Sequence, residues 1–440
     1  MSQHPNSGAW TRNLRRLALS TSTCLLLGNA VSVLLAPQAI AQTTAPLTLE
    51  DAIARALEAD PGLQAASAGV DAAHGGLRQA RARPNPELSA EVENFNGERE
   101  LRGFGGAETT FSLSQEIELG GRRSARVQLA DRELHGAELE RVARGLDRIR
   151  DVQIAYFNAL AAEELVIIAR ERLETAQALS ASVGRRVAAA RDPLMAGARA
   201  EAGLAEARIA LRRAQAEAAT ARATLASLLG GDTGFALIPA DFALARAVEH
   251  AHDDPSDSTP DLARLAAARD RANAAVRVER SLAWQNPTLS FGYRQFAADD
   301  NEGALVAGVS IPLGVFDRNQ GSVSRARAEQ RRAELDLEAG RRALMREHAS
   351  LERAIATDAA AISATEDEVI PQAERALALA QDGYDRGAFS YLDVLEAQRS
   401  LSDARQSRVD ALRTYHNNEA ALDRLTARFA ETLPRQEAHQ

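Results

Sequence analysis

Cysteine, lysine, methionine and aromatic residues are all scarce or missing in this chain of 440 residues. The one cysteine is Cys24, there are three methionines, aromatics make up 4%, and no lysine occurs, so all 52 basic side chains are arginine. A single thiol excludes a disulfide framework and a thiolate metal site. Three methionines, one of them the initiator, exclude a thioether ladder for a soft cation. G-x-S-x-G, H-E-x-x-H and Walker-loop patterns are absent, which removes the commonest hydrolase, zinc-protease and nucleotide-binding readings. After the first 41 residues no run of eighteen or more apolar residues appears, so no transmembrane helix is expected. Membrane β-strands are not excluded, because each needs only about ten alternating residues.

The N-terminus carries Arg12, Arg15 and Arg16, then the apolar stretch Leu17–Leu35, then Ala39-Ile40-Ala41. This order reads as a secretory signal peptide spanning 1–41, with a retained anchor as the alternative. Cys24 lies inside it, and the preceding Thr21-Ser22-Thr23 lacks the leucine a lipidation site would want. Removal of the segment takes the net charge from -9 to -12. An acidic exported chain is a poor partner for nucleic acid.

The remainder reads as two copies of one unit. PNPELSAEVENF (84–95) matches QNPTLSFGYRQF (285–296), IELG (117–120) matches IPLG (311–314), and Pro61-Gly62-Leu63 matches Pro260-Asp261-Leu262. Copy one is placed at 42–240 and copy two at 259–430, with a Gly/Pro/Asp/Ser-rich linker at 241–258 and a polar tail at 431–440. Within the linker, His250-Ala251-His252-Asp253-Asp254 is the one local group with ligand chemistry; a solvated linker is the simpler reading.

Each copy has the same internal order. Thr48 and Asp51 have capping-box spacing ahead of a first helix, and a second helix is expected from Pro61 to Arg83. Period-two alternation marks strands at about 87–95 and 110–119 in copy one and about 288–296 and 304–313 in copy two. Leu113, Ile117, Leu289 and Phe291 fall on the apolar, lipid-facing side of these strands. Glu91, Ser114 and Ser290 fall on the other side. A soluble hairpin packed on helices is the alternative for any one pair. Four strands per chain cannot close a barrel, since the smallest outer-membrane barrels have about eight, so closure would need several subunits.

Long helices complete each copy. No proline occurs between Pro86 and Pro193, so a helix of about 100 Å can run from Arg122 to Arg191 at 1.5 Å per residue. Its copy-two equivalent, Arg318 to Arg386, meets Pro371, where a kink is expected. Asp317 and Gln320 have capping-box spacing at its start. Leu204, Ala207, Leu211, Ala214, Ala218, Ala221, Leu225 and Leu228 follow a strict 4,3 spacing, which predicts a coiled-coil seam.

On PNPELSAEVENF, SQEIELGGRR and PLGVFDRNQG the chain resembles the TolC-like outer membrane factors, and within them the heavy-metal efflux, CzcC-like branch. The resemblance covers residues 47–430. It implies a mainly α protein with a membrane β-barrel: a homotrimer whose four strands per chain make a twelve-stranded barrel. Long helical hairpins would form an α-barrel tunnel from the outer membrane into the periplasm. It implies a passive exit duct for cobalt, zinc, cadmium or nickel cations, with outer membrane lipid around it and no enzymatic step or cofactor. Its partners would be a periplasmic adaptor and an inner-membrane resistance-nodulation-division pump. The same duct serving drug or protein export stays open, as does a structural periplasmic coiled coil. GYDRGAFSYLDVLEAQ (383–398) is similar to the family's periplasmic aperture, with Tyr384, Asp393 and Glu396 as pore-lining residues. Asp393 and Glu396 lie three apart at a helix start, so they share a face; the alternative is that both are first-turn residues favoured by the helix dipole. Phe389 stands where the best-known member carries a gate arginine, and copy one has Ala196 and Arg199 where copy two has Asp393 and Glu396.

Overall fold

The computed structural model describes residues 46–99, 102–231, 233–243, 259–297 and 302–434. The signal segment with Cys24 and the His250–Asp254 cluster lie outside them. In chain order the elements are β1 (Pro46–Leu47), α1 (Leu49–Ala59), α2 (Pro61–Arg81), β2 (Glu87–Glu93), β3 (Glu108–Glu116), α3 (Arg122–Ala188), α4 (Leu194–Leu228), β4 (Ala236–Leu237) and α5 (Pro239–Ala243). The second half repeats the plan as α6 (Pro260–Ser281), β5 (Thr288–Phe296), β6 (Gly303–Ser310), α7 (Gln320–Ala364), α8 (Ile370–Asp385) and α9 (Tyr391–Thr426).

Helix starts follow local chemistry in copy one. The Thr48 hydroxyl accepts the Asp51 N–H at 3.1 Å, and Asp60 accepts the Leu63 N–H at 3.0 Å ahead of Pro61. Gly120 and Gly121 turn the chain into α3 at φ 65° and 71°, which glycine adopts without steric cost. Copy two differs. Asp317 and Gln320 do not form a capping box. Asn319 caps α7 in the left-handed region at φ 60°, Asp317 accepts its N–H at 2.8 Å, and Gln320 accepts the Arg318 N–H at 2.9 Å. Asparagine tolerates this conformation, and the reversed backbone moves the helix start past the expected acid.

α3 runs unbroken for 67 residues, about 100 Å, and α4 returns along it. All eight seam positions of α4 are buried or half-buried, with Ala207, Ala214 and Leu225 fully inside. α3 also contains one stretch long and apolar enough by composition to cross a membrane. Its Val152, Tyr156, Ala159 and Leu160 are spent on the main core instead. That core joins β1, α1, α3, α4, α5 and α9, with Leu412 and Tyr415 arriving from copy two. At Pro371 the copy-two rod is not one continuous α-helix: α7 ends at Ala364 and α8 begins at Ile370. A π turn at Thr365–Val369 precedes it, which absorbs the missing N–H and ring clash in one widened turn. The expected polar tail starts later than 431: Leu433 is buried over Gly145, where a Cβ would lie 2.4 Å from its Cδ2.

The four long strands make one antiparallel sheet in the order β2-β3-β5-β6. β3 and β5 pair across the copies, as in Leu113 with Phe291 and Ser114 with Ser290. Strands β2, β3 and β6 end at Glu93, Glu116 and Ser310, short of the expected 95, 119 and 313. Ile117 therefore lies just past β3, its N–H donating to Pro287 O at 2.9 Å.

Candidate functional site

Register sorts the sheet into two faces. Leu88, Leu113, Phe291 and Ala307 form one row across all four strands, and Ala90, Phe111, Tyr293 and Leu305 form the next. This apolar face is open in a single chain, with Phe291 69% exposed. The opposite face holds Glu87, Ser114, Ser290 and Gly308 in one row and Glu91, Thr110, Arg294 and Ala304 in another. Arg294 is its one cation among the described residues of the four strands. It donates to Glu93 at 3.0 Å, Glu108 at 2.9 Å and Thr110 at 2.9 Å. With Glu87, Glu91 and Glu116 beside that group, the polar face is net acidic. Among the described residues, both edge strands, β2 and β6, lack a partner strand on one side. An open edge of this kind calls for pairing with another chain.

At the far end of the rods the two hairpin tips meet. Arg186 near the end of α3 holds Asp192 of the copy-one loop through Nε at 3.0 Å and Nη2 at 3.2 Å. Tyr384 of α8 donates its hydroxyl to the same Asp192 at 2.9 Å, and Arg186 donates to Tyr384 O at 3.0 Å. The guanidinium lies 4.6 Å from the Tyr384 ring centroid. Hydrogen bonds from Arg186 and then Tyr384 hold the Asp192 carboxyl below its ordinary range. Burial, followed by the Asp192 contact, pushes the Tyr384 phenol up to about 12. Val183, Ala200, Tyr391 and Val394 pack behind this polar group.

Tyr384 is thus at the tip but buried against Asp192. Asp393 and Glu396 are exposed, and Asp393 has a structural role. It closes a capping box, accepting the Ser390 N–H at 2.7 Å and the Ser390 hydroxyl at 2.7 Å. These two bonds, the hydroxyl first, lower its pKa. Arg186 and Asp192 were missed in the sequence. The one signal for them is an arginine and an aspartate flanking the turn ahead of Pro193, and only their meeting with Tyr384 from the other copy gives them a role.

The sequence model for outer membrane efflux proteins matches residues 52–231 and 256–428, one match per copy. The chain belongs to the outer membrane efflux protein family. It is 33% identical to the cobalt-zinc-cadmium resistance protein CzcC of Cupriavidus metallidurans, over 88% of this chain and 91% of that protein. It is 28% identical to the pyoverdine export outer membrane protein OpmQ of Pseudomonas aeruginosa, over 82% and 81%. Among solved structures, CusC superposes with a TM-score of 0.70 at 22% identity, covering 87% of this chain and 92% of that one. As a family member the chain is an outer membrane factor of the tripartite-efflux kind, extending into the periplasm. It is a transport duct, not an enzyme.

Proposed function

We propose that three copies of the chain close a twelve-stranded barrel and a helical tunnel that together form the passive exit duct for heavy-metal cations of the cobalt-zinc-cadmium class. A periplasmic adaptor and an inner-membrane resistance-nodulation-division pump would deliver the cargo and the energy. The observation that carries the metal assignment is the 33% identity to CzcC along nearly the whole chain. The open β2 and β6 edges support closure between copies. With Leu113, Leu289 and Phe291 toward lipid, and Ile117 at the strand end, the acidic face turns to the lumen, where it favours hydrated cations. The Arg186–Asp192–Tyr384 group holds the tips together and would set the resting aperture, with Asp393 and Glu396 on the rim.

The test is removal of the chromosomal copy and complementation in the native host. Restored growth on cobalt, zinc or cadmium salts supports the assignment. Restored tolerance to organic compounds alone, with metal sensitivity unchanged, replaces it with the export of organic cargo suggested by the similarity to OpmQ.

A further inference from the structure

The two copies leave the sheet differently. One residue separates Gly120 from α3, whereas Val315–Asn319 separate Gly314 from α7. The added residues bring Val315 and Phe316, which are 62% and 93% exposed, next to Leu313 at 83%. Large apolar side chains this open mark a contact surface. Trp284, 64% exposed, sits at the same end of the sheet. A Cβ on Gly120 would lie 2.7 Å from its ring, and Gly314 lies against the next residue, Gln285.

The loop is built for an apolar surrounding. Val315 N–H donates to Leu313 O at 2.9 Å, Arg318 Nε to Gly314 O at 3.1 Å, and Gln320 Nε2 to Phe316 O at 3.3 Å. Asn319 ties the loop to α6 through Glu279 O at 2.8 Å. These bonds satisfy part of the loop's backbone within the chain, as low-water surroundings favour. Its position continues an apolar band. Val309 is on the apolar face, and Ile311 and Leu313 keep its odd-numbered parity beyond the strand end. The exposed Asp317 and Arg318 follow, so the loop passes from apolar to charged side chains on its way into α7.

We infer that Leu313, Val315 and Phe316, with Trp284, form an interfacial anchor that seats in the periplasmic leaflet of the outer membrane, its occupant being phospholipid at the acyl–headgroup boundary. Aromatic side chains concentrate at this depth in membrane proteins. The anchor would fix the height of the barrel over the tunnel, and it exists in copy two alone, so each subunit carries one. The inference rests on the membrane reading of the sheet.

The experiment uses the full chain with Cys24→Ser, carrying a nitroxide at Phe316→Cys. The protein is reconstituted in vesicles of phosphatidylethanolamine and phosphatidylglycerol. Phe291→Cys serves as the mid-sheet reference and Arg332→Cys on α7 as the aqueous one. Collision with oxygen and with a neutral nickel chelate is read by electron paramagnetic resonance. The anchor predicts oxygen access well above nickel access at Phe316, intermediate between the two references. Nickel access equal to that at Arg332 overturns it. Exclusion of both reagents also overturns it and assigns the loop to a neighbouring copy. If Phe291 itself meets nickel as Arg332 does, the membrane reading of the sheet falls, and the anchor with it. Val315→Cys replaces Phe316→Cys if the latter does not assemble.

Discussion

Tyr384→Phe is the cleanest perturbation of the hairpin tips. It removes one hydroxyl and leaves the rest of the cluster in place. The ring stays buried, Arg186 can still lie over it, and the Arg186 bond to the backbone carbonyl of residue 384 does not involve the hydroxyl. Asp192 also keeps both bonds from Arg186, so no charge is stranded. A hydrogen bond to a charged group is worth roughly 1.5–3 kcal/mol. With Arg186 still compensating Asp192, the loss falls below that range to the value of an ordinary hydrogen bond, and we take about 1 kcal/mol per tip. One tip alone would then shift its opening equilibrium about fivefold. Three tips opening together in a trimer would sum to about 3 kcal/mol, on the order of a hundredfold. Planar-bilayer recording reads this as a rise in the open fraction at fixed voltage. Asp192→Asn should act in the same direction and more strongly, since it weakens the Arg186 contact as well. The sign of the pH dependence follows from the shifts. The Asp192 carboxyl is lowered, so its contribution is present above about 3.8 and lost as pH falls through its folded value. The Tyr384 phenol is raised to about 12, so its contribution is complete below about 10 and lost as pH rises through that value. The open fraction should therefore stay flat from about pH 5 to 9. If both variants keep the closed conductance of the parent, the cluster is packing and does not hold the aperture.

Three further outcomes are expected. Phe291→Arg should cost roughly 2–4 kcal/mol of trimer stability and Ser290→Arg much less; equal tolerance in denaturant titrations would contradict the assigned faces. Glu396→Gln alone should weaken block by multivalent cations with little change in melting temperature, whereas Asp393→Ala should lower the melting temperature by removing the carboxylate that accepts from Ser390 in the capping box; the reverse pattern would make Asp393 the pore acid. Buried Asp423 is raised, chiefly by desolvation, so its folded state holds a proton more tightly than its unfolded state, and its stability contribution falls as pH rises. Asp423→Asn should accordingly gain on the parent in calorimetric melting temperature on going from pH 4 to pH 7, and a gap that shrinks over that range would contradict the sign.

The parts legible in the sequence were those with a period. The 4,3 spacing from Leu204 to Leu228 needs no partner to be recognised, and α4 buries that face. Alternation over 87–93 and 288–296 likewise sorted Glu91, Ser290 and Phe291 onto faces that the register reproduces. Non-periodic contacts were not legible. Asp192 and Tyr384 are 192 positions apart, and nothing local tells an aspartate in a turn that its partner is a tyrosine in the other copy. Asp317 misled for the opposite reason. Its spacing to Gln320 is a valid cap pattern, but Asn319 can adopt the left-handed conformation and end the turn first. Asp393 matched an aperture acid by position, while the same spacing to Ser390 is what builds its capping box.

Duplication alone would produce two interchangeable hairpins, and the departures from symmetry show how the copies divide the work. Copy one has the unbroken α3 and contributes Arg186 and Asp192, a charge pair that ties the end of α3 to its own loop. Copy two contributes only neutral groups to that pair, the Tyr384 hydroxyl and the Tyr384 carbonyl, so separating the tips leaves the Arg186–Asp192 ion pair intact while breaking two hydrogen bonds per chain and the ring contact. Its rod also contains the π turn at Thr365–Val369 and Pro371, where helical hydrogen bonding is already rearranged. Within this turn Glu366 pairs with Arg408 of α9, and after it Glu374 shares Arg405 with Glu171 of α3. These partly exposed ion pairs, each worth at most about 1 kcal/mol, flank the turn on one side, while Ile355 and Ile362 just before it anchor α7 in the same buried core as Leu412 and Tyr415. The π turn and the membrane-end insertion both belong to copy two, whereas copy one carries the unbroken α3 and the charged pair to which the Tyr384 hydroxyl of copy two donates.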